Sequence, residues 1–140
     1  MSIIFDSQNN TFHLQGKNTS YVFQIIRGGY LAHLYWGHKI RNYNMSNPLS
    51  FIDRGFCANP FADDRKFSLD TIPQEYTTYG NGDFRIPTEE IQLENGSTIT
   101  NLTYVSHKIS KGKPALNGLP SVYTLSNDEA ETLEITVEDN

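Results

Sequence analysis

At 140 residues, with 37% apolar and 19% charged side chains and sixteen Phe and Tyr, the chain is long enough to bury a core and too aromatic for a disordered segment. The formal charge of -5 is concentrated in Asp128, Glu129, Glu131, Glu134, Glu138 and Asp139; elsewhere eleven basic side chains meet ten acids, with no basic stripe for nucleic acid or an anionic membrane. No run approaches the ~20 apolar residues of a membrane span, residues 1–5 lack the makings of a secretion signal, and Cys57 stands alone, so a reducing cytoplasm is the expected compartment.

β-Branched and aromatic residues dominate, and no window carries an apolar stripe of helical period. In chain order, strands are predicted over residues 3–5, 11–14, 21–26, 30–36, 90–94, 98–107, 121–124 and 132–138, separated by Gly, Asn, Pro and Ser clusters. Short strands with frequent turns predict an all-β, antiparallel β-sandwich. Asn95-Gly96 suits a two-residue type I′ turn, which would set Leu93 across from Thr98. Leu133, Ile135 and Val137 alternate with Glu134, Thr136 and Glu138, as in a strand with one buried face. Ending at Asn140 after such a half-exposed strand fits a sandwich continued in a longer polypeptide, that is, a truncated one.

Between Arg41 and Arg85 the alternation fails, yet Phe51, Phe56, Phe61, Phe67, Tyr76 and Tyr79 fall there. A long irregular stretch rich in aromatics predicts a structured, projecting loop.

Few residues carry chemistry on spacing alone. His33 and His38 are five apart, which on a regular strand puts them on opposite faces, so no metal pair is expected. Asp53, Asp63, Asp64 and Asp70 do not match a calcium loop and are interspersed with Arg54, Arg65 and Lys66, which predicts local ion pairs. Gly80-Asn81-Gly82 lacks the rest of a phosphate or dinucleotide loop, and there is no G-x-S-x-G elbow. Acid pairs such as Glu89-Glu90 have no pattern that would set one carboxyl apart as a glycosidase acid. The single tryptophan, Trp36, could stack on a sugar, but a strand aromatic is expected in the core. Four N-x-S/T triplets, at Asn18, Asn44, Asn95 and Asn101, are read as chance occurrences.

The run Leu69-Asp70-Thr71-Ile72-Pro73-Gln74-Glu75-Tyr76, then Tyr79-Gly80 and Gly82-Asp83-Phe84-Arg85-Ile86-Pro87, resembles the N-terminal domain of glycoside hydrolase family 36 α-galactosidases. Phe12-His13-Leu14, Gly29 to Gly37 with its Tyr35-Trp36-Gly37, and Gly112 to Pro120 extend the resemblance over almost the whole chain. It departs from the family after Tyr76, where Thr77 stands in place of a common proline.

The resemblance implies a cytoplasmic bacterial enzyme that releases α-galactose from melibiose- or raffinose-type sugars. Residues 1–140 would be the N-terminal portion of its β-supersandwich, and the (β/α)8 barrel and C-terminal β domain would lie outside this chain. Family catalysis is retaining, with both catalytic aspartates in the barrel and the nucleophile after a Lys-Trp pair. Trp36 follows Tyr35, so that motif is absent and no catalytic residue is expected here. No metal or other cofactor is implied. In tetrameric members this domain packs against neighbouring subunits and sends a loop to a neighbour's sugar pocket. By position the loop is residues 50–65, which makes Asp53 and Arg65 the candidates for binding substrate in trans. The alternative is a freestanding carbohydrate-binding or interaction module.

Overall fold

The computed structural model describes residues 2–44, 48–124 and 126–140; Met1, residues 45–47, which include part of the Asn44 triplet, and Leu125 lie outside them. Among the described residues six strands are present: β1 (Ser2–Asp6), β2 (Thr11–Gln15), β3 (Thr19–Ile25), β4 (Leu31–His38), β5 (Leu102–Lys111) and β6 (Glu131–Asp139). The first four form an antiparallel meander in sequence order, and β5 and β6 form an antiparallel ribbon. Three single 3-10 turns are the only helical segments among the described residues. The expected all-β antiparallel class is therefore the observed one.

The registers explain why the ribbon lies on the sheet. Phe5 pairs with Phe12 and Phe12 with Phe23, so three rings cross neighbouring strands on one face, with centroids 4.6 and 4.9 Å apart. From β5, the His107 ring sits 4.4 Å from Phe5 and meets Phe12 edge-on at 4.8 Å. Phe12 is fully buried as a result, and enclosing such a side chain contributes about 1.5–3 kcal/mol through apolar area alone. A bulge in β5 at Val105 makes this possible, since it brings Tyr104 and His107 together, the Tyr104 hydroxyl 2.7 Å from His107 Nδ1.

The acidic C-terminal run faces lysines across the ribbon. β5 sets Lys108 opposite Glu134 and Lys111 opposite Glu131, while Glu131 also accepts a hydrogen bond from the Ile3 amide at 2.6 Å. Leu133, Ile135 and Val137 are half-buried and Glu134, Thr136 and Glu138 exposed, as the alternation predicts.

Two expected strands, 90–94 and 121–124, do not form, and β5 begins at Leu102 rather than at residue 98. At Asn95-Gly96 only the glycine has positive φ, so the turn is not type I′. The Leu93 amide donates to Ser97 O and the Gly96 amide to Leu93 O, both at 2.8 Å. Leu93 therefore faces Ser97, one residue away from the expected partner, and such a slip reverses every side chain's face. The Asn95 side chain takes the Ser97 amide at 2.9 Å, a local bond that competes with a ladder. Val122 and Tyr123 are exposed and lie outside both sheets.

A second cluster, Tyr30, Ala32, Phe67, Leu69 and Ile72, lies at the β4 edge with Ile26, Leu49 and Phe61 packed on it. Residues 72–75 run along that edge: the His33 amide donates to Pro73 O at 2.7 Å and the Glu75 amide to Leu31 O at 2.9 Å. The most specific sequence motif thus covers a strand edge that would otherwise present unpaired backbone groups.

Candidate functional site

Two structures grow from the irregular segment. One is a charged clamp built by the motif. Asp83 is 1% exposed, and a carboxylate so buried requires compensation. Arg85 supplies it from two residues away, with Nε donating to Oδ1 at 2.8 Å, Nη2 to Oδ2 at 2.6 Å and its own amide to Oδ1 at 3.1 Å. Gln74 Nε2 donates to Oδ2 at 2.8 Å. Arg85 Nη2 also reaches Leu69 O at 2.9 Å and Ile72 O at 3.0 Å, so one guanidinium ties the Gly-Asp-Phe-Arg turn to the edge-covering segment.

Burial by itself would raise the Asp83 carboxyl, but the hydrogen bonds from Arg85 outweigh it and hold the group below the ordinary aspartate value of 3.8. With the folded-state value depressed, the unfolded chain takes up protons first on acidification. The stabilisation is complete above the ordinary aspartate value and is lost as pH falls through the folded one. Denaturant unfolding at successive pH values is expected to show stability falling below about pH 4, with a shallower fall in Asp83→Asn. Some fall should remain, because Arg54 and then Ser68 hold Asp70 low, and Arg27 does the same for Asp63. An identical acid profile in the variant would remove the buried pair as its source.

The other structure is the projecting loop. Its base is anchored by aromatics, with Phe51 stacked on Phe67 at 5.6 Å and Phe61 edge-on to Phe67 at 4.9 Å. Arg27 sits over the Phe61 ring at 4.1 Å and holds Asp63 with bonds of 2.7 and 2.9 Å. Gly28, at φ +80°, is required here, because a Cβ would stand 2.6 Å from the Phe61 ring. Arg54 binds Asp70 at 2.7 and 2.9 Å and Ser68 at 2.9 Å. The expected local ion pairs among these charges are therefore present.

The structure brings the two sequence-derived candidates together. Arg65 Nη2 lies 3.5 Å from Asp53 Oδ1 across the loop, with the side chains 73% and 49% exposed. A single contact at that distance and exposure is weak, so both groups keep most of their hydrogen-bonding capacity for another molecule. At the tip, Phe56 is fully exposed and holds a left-handed backbone at φ +60°. That conformation costs a non-glycine residue about 1–2 kcal/mol, and no packing of the ring against the described residues offsets it.

Sequence reasoning missed a third grouping and misjudged two of its members. Trp36, expected in the core, is 76% exposed. His33 and His38 do not lie on opposite faces either, because Tyr35 pairs with Val22 and His33 with Phe23, leaving Leu34 as an extra, bulged residue. The bulge reverses the parity and sets His33 and Trp36 against one ring, Tyr21, at 5.1 and 6.2 Å. Glu75, 42 residues from His33, joins them through a 2.8 Å bond to His33 Nδ1 and accepts from the Tyr21 hydroxyl. No local signal announces contacts of such long separation. Among the described residues, no three His, Cys, Asp or Glu side chains are grouped to hold a metal ion, and no helix is long and apolar enough to cross a membrane.

The clamp uses the residues that carried the family resemblance, and comparison with known proteins agrees. Residues 29–140 match the model of the glycosyl hydrolase family 36 N-terminal domain. This chain belongs to that family. It is 52% identical over 139 residues to alpha-galactosidase AgaA of Geobacillus stearothermophilus, covering 99% of this chain and 19% of AgaA. It is 46% identical to alpha-galactosidase Mel36A of Lactobacillus acidophilus, covering 98% of this chain and 19% of Mel36A. The fold superimposes on the crystal structure of the GH36 alpha-galactosidase AgaB of G. stearothermophilus with a TM-score of 0.88 at 52% identity, over 99% of this chain and 19% of that one. A variant of AgaA solved in complex with raffinose gives 0.85 at 53% identity, over 92% and 18%. The chain thus spans about one fifth of the length of the family 36 relatives it matches.

Proposed function

We propose that residues 1–140 are the N-terminal portion of the β-supersandwich of an α-galactosidase that hydrolyses terminal α-galactosyl groups of melibiose- and raffinose-type oligosaccharides. The parent enzyme carries its catalytic aspartates in a (β/α)8 barrel, continues into a C-terminal β domain, and works in the cytoplasm as a homotetramer. The observation that carries this reading is the likeness to alpha-galactosidases over essentially the whole chain, including AgaA at 52% identity.

The N-terminal segment serves assembly. Phe84 and Ile86 stand exposed beside a cleft of about 400 Å³ that also borders Tyr79, Pro87 and Glu89, and exposed apolar patches of this kind mark surfaces that another part of a protein covers. Residues 50–65 form a loop that reaches a neighbouring subunit's sugar pocket, where Asp53 accepts from and Arg65 donates to galactose hydroxyls. Support comes from the exposed, loosely paired state of both side chains and from the strained, projecting Phe56.

The chain alone is expected to show no turnover of an aryl α-galactoside, since retaining hydrolysis needs two carboxyl groups about 5–5.5 Å apart across the bond. The full-length parent should release galactose from raffinose. Activity of the isolated chain that disappears on mutation of one of its own carboxylates would overturn the reading, as would a parent inert toward every α-galactoside.

A further inference from the structure

The Tyr21, His33, Trp36 and Glu75 grouping is left unused by both the clamp and the loop. It lines an open cleft of about 350 Å³ together with Pro73 and Gln74, within the range of small-molecule sites. Its parts are fixed from several directions. Glu75 is only 17% exposed; its carboxylate is occupied by His33 Nδ1 on one oxygen and by the Tyr21 hydroxyl on the other. Burial and then Glu75 push the Tyr21 phenol well above its ordinary value, so it remains a hydrogen-bond donor. The backbone is equally held, because the His33 amide is bonded to Pro73 O and the Glu75 amide to Leu31 O.

With both Glu75 oxygens already bonded, the cleft offers the second ring nitrogen of His33 and the indole N–H of Trp36 rather than an unpaired carboxylate. His33 Nδ1 is engaged, and among the described residues none is bonded to Nε2 or to the Trp36 indole N–H. Beside these polar atoms stands a largely exposed indole, held edge-on by Tyr21. An aromatic face with one or two directed polar atoms at its rim suits a ligand with an apolar C–H face bordered by hydroxyls, which describes a pyranose. The axial hydroxyl of galactose leaves a continuous C–H patch on one face of that ring.

We propose that Trp36 and His33 form a non-catalytic carbohydrate-binding site for neutral α-galactosyl oligosaccharides, with the galactosyl ring stacked on Trp36 and a ring hydroxyl bonded to His33 Nε2. Glu75 and Tyr21 are positioning residues that fix the imidazole. The choice of α-galactosyl sugar rests on the proposed function, whereas the pyranose site rests on the cleft alone.

Trp36 is the only tryptophan in the chain, so its fluorescence reports the site directly. Titration of the chain with raffinose should give a saturable change in intensity and emission maximum, with dissociation constants on the order of 1 mM. Sucrose, which lacks the galactosyl group, should bind at least tenfold more weakly. His33→Ala should weaken raffinose binding about tenfold. Trp36→Ala should abolish it in ligand-detected NMR, and since that side chain is exposed, the thermal transition of this variant should stay close to the parent's. A flat titration up to ~100 mM raffinose, two decades above the expected constant, overturns the site. So does a His33→Ala variant that binds as tightly as the original, while equal binding of sucrose overturns the choice of an α-galactosyl ligand. Activity of the full-length enzyme on raffinose is measured separately: an active parent with a silent Trp36 sinks only the site, and an inert parent sinks only the enzymatic reading.

Discussion

Replacing Arg85 by Met is expected to lower the unfolding free energy of the chain by about 3 kcal/mol, near the lower end of the cost of breaking a buried ion pair from one side. The charge left behind is Asp83, which is 1% exposed and would keep only Gln74 and one backbone amide as donors. Leu69 O and Ile72 O lose their guanidinium contacts in the same step. The reverse change, Asp83→Asn, should cost less, about 1–2 kcal/mol. In that variant the orphaned charge is Arg85, whose side chain is 41% exposed and reaches water, and its bonds to the two carbonyls persist. The two substitutions combined should cost clearly less than the two single costs added, because neither leaves the other's partner stranded. Urea unfolding of the four proteins, read by tryptophan fluorescence and far-ultraviolet dichroism, checks all three statements. Single costs under about 0.5 kcal/mol, typical of surface substitutions, or strict additivity would mean that the pair does not hold the motif.

In the full-length enzyme, Asp53→Ala and Arg65→Ala are each expected to reduce kcat/KM for an α-galactoside by roughly 10- to 150-fold, the equivalent of about 1.5–3 kcal/mol for a hydrogen bond to a charged group. The loss arises only if the loop enters a neighbour's pocket and the two groups are desolvated against the sugar. In the chain as it stands they meet at 3.5 Å and are largely exposed, so breaking that contact alone should change stability by about 0–1 kcal/mol. The contrast between a large kinetic and a small stability effect separates a substrate role from a local ion pair. Each variant must first be shown to retain the parent's oligomeric state, since dissociation would withdraw the whole loop. Unchanged kcat/KM in both intact variants would rule out the role in trans.

The sequence by itself determined the class and the positions of most strands. Period-two patterning and aromatic enrichment survive any tertiary context, and β1 to β4 and β6 form within two residues of their expected ends. It also determined the family, because the Leu69 to Pro87 motif is specific as a string even before its contacts are known. Local ion pairs around Arg54 were readable from the interspersed charges.

Tertiary structure decided the rest, and each case has an identifiable cause. The strand expected at 90–94 failed because Asn95 satisfied the Ser97 amide locally and shifted the turn by one residue. His33 came to share a face with Trp36 because a single bulged residue, Leu34, reversed the parity on which a facing argument rests. The acid run gained lysines opposite it only when β5 paired with β6. Asp53 and Arg65 were selected by position in the loop, but their separation is set by the Phe51, Phe61 and Phe67 packing beneath them. Patterning records which face a residue prefers; a bulge, a register or a pairing across forty residues depends on the free energy of the assembled sheet, and no local stretch of this sequence contains it.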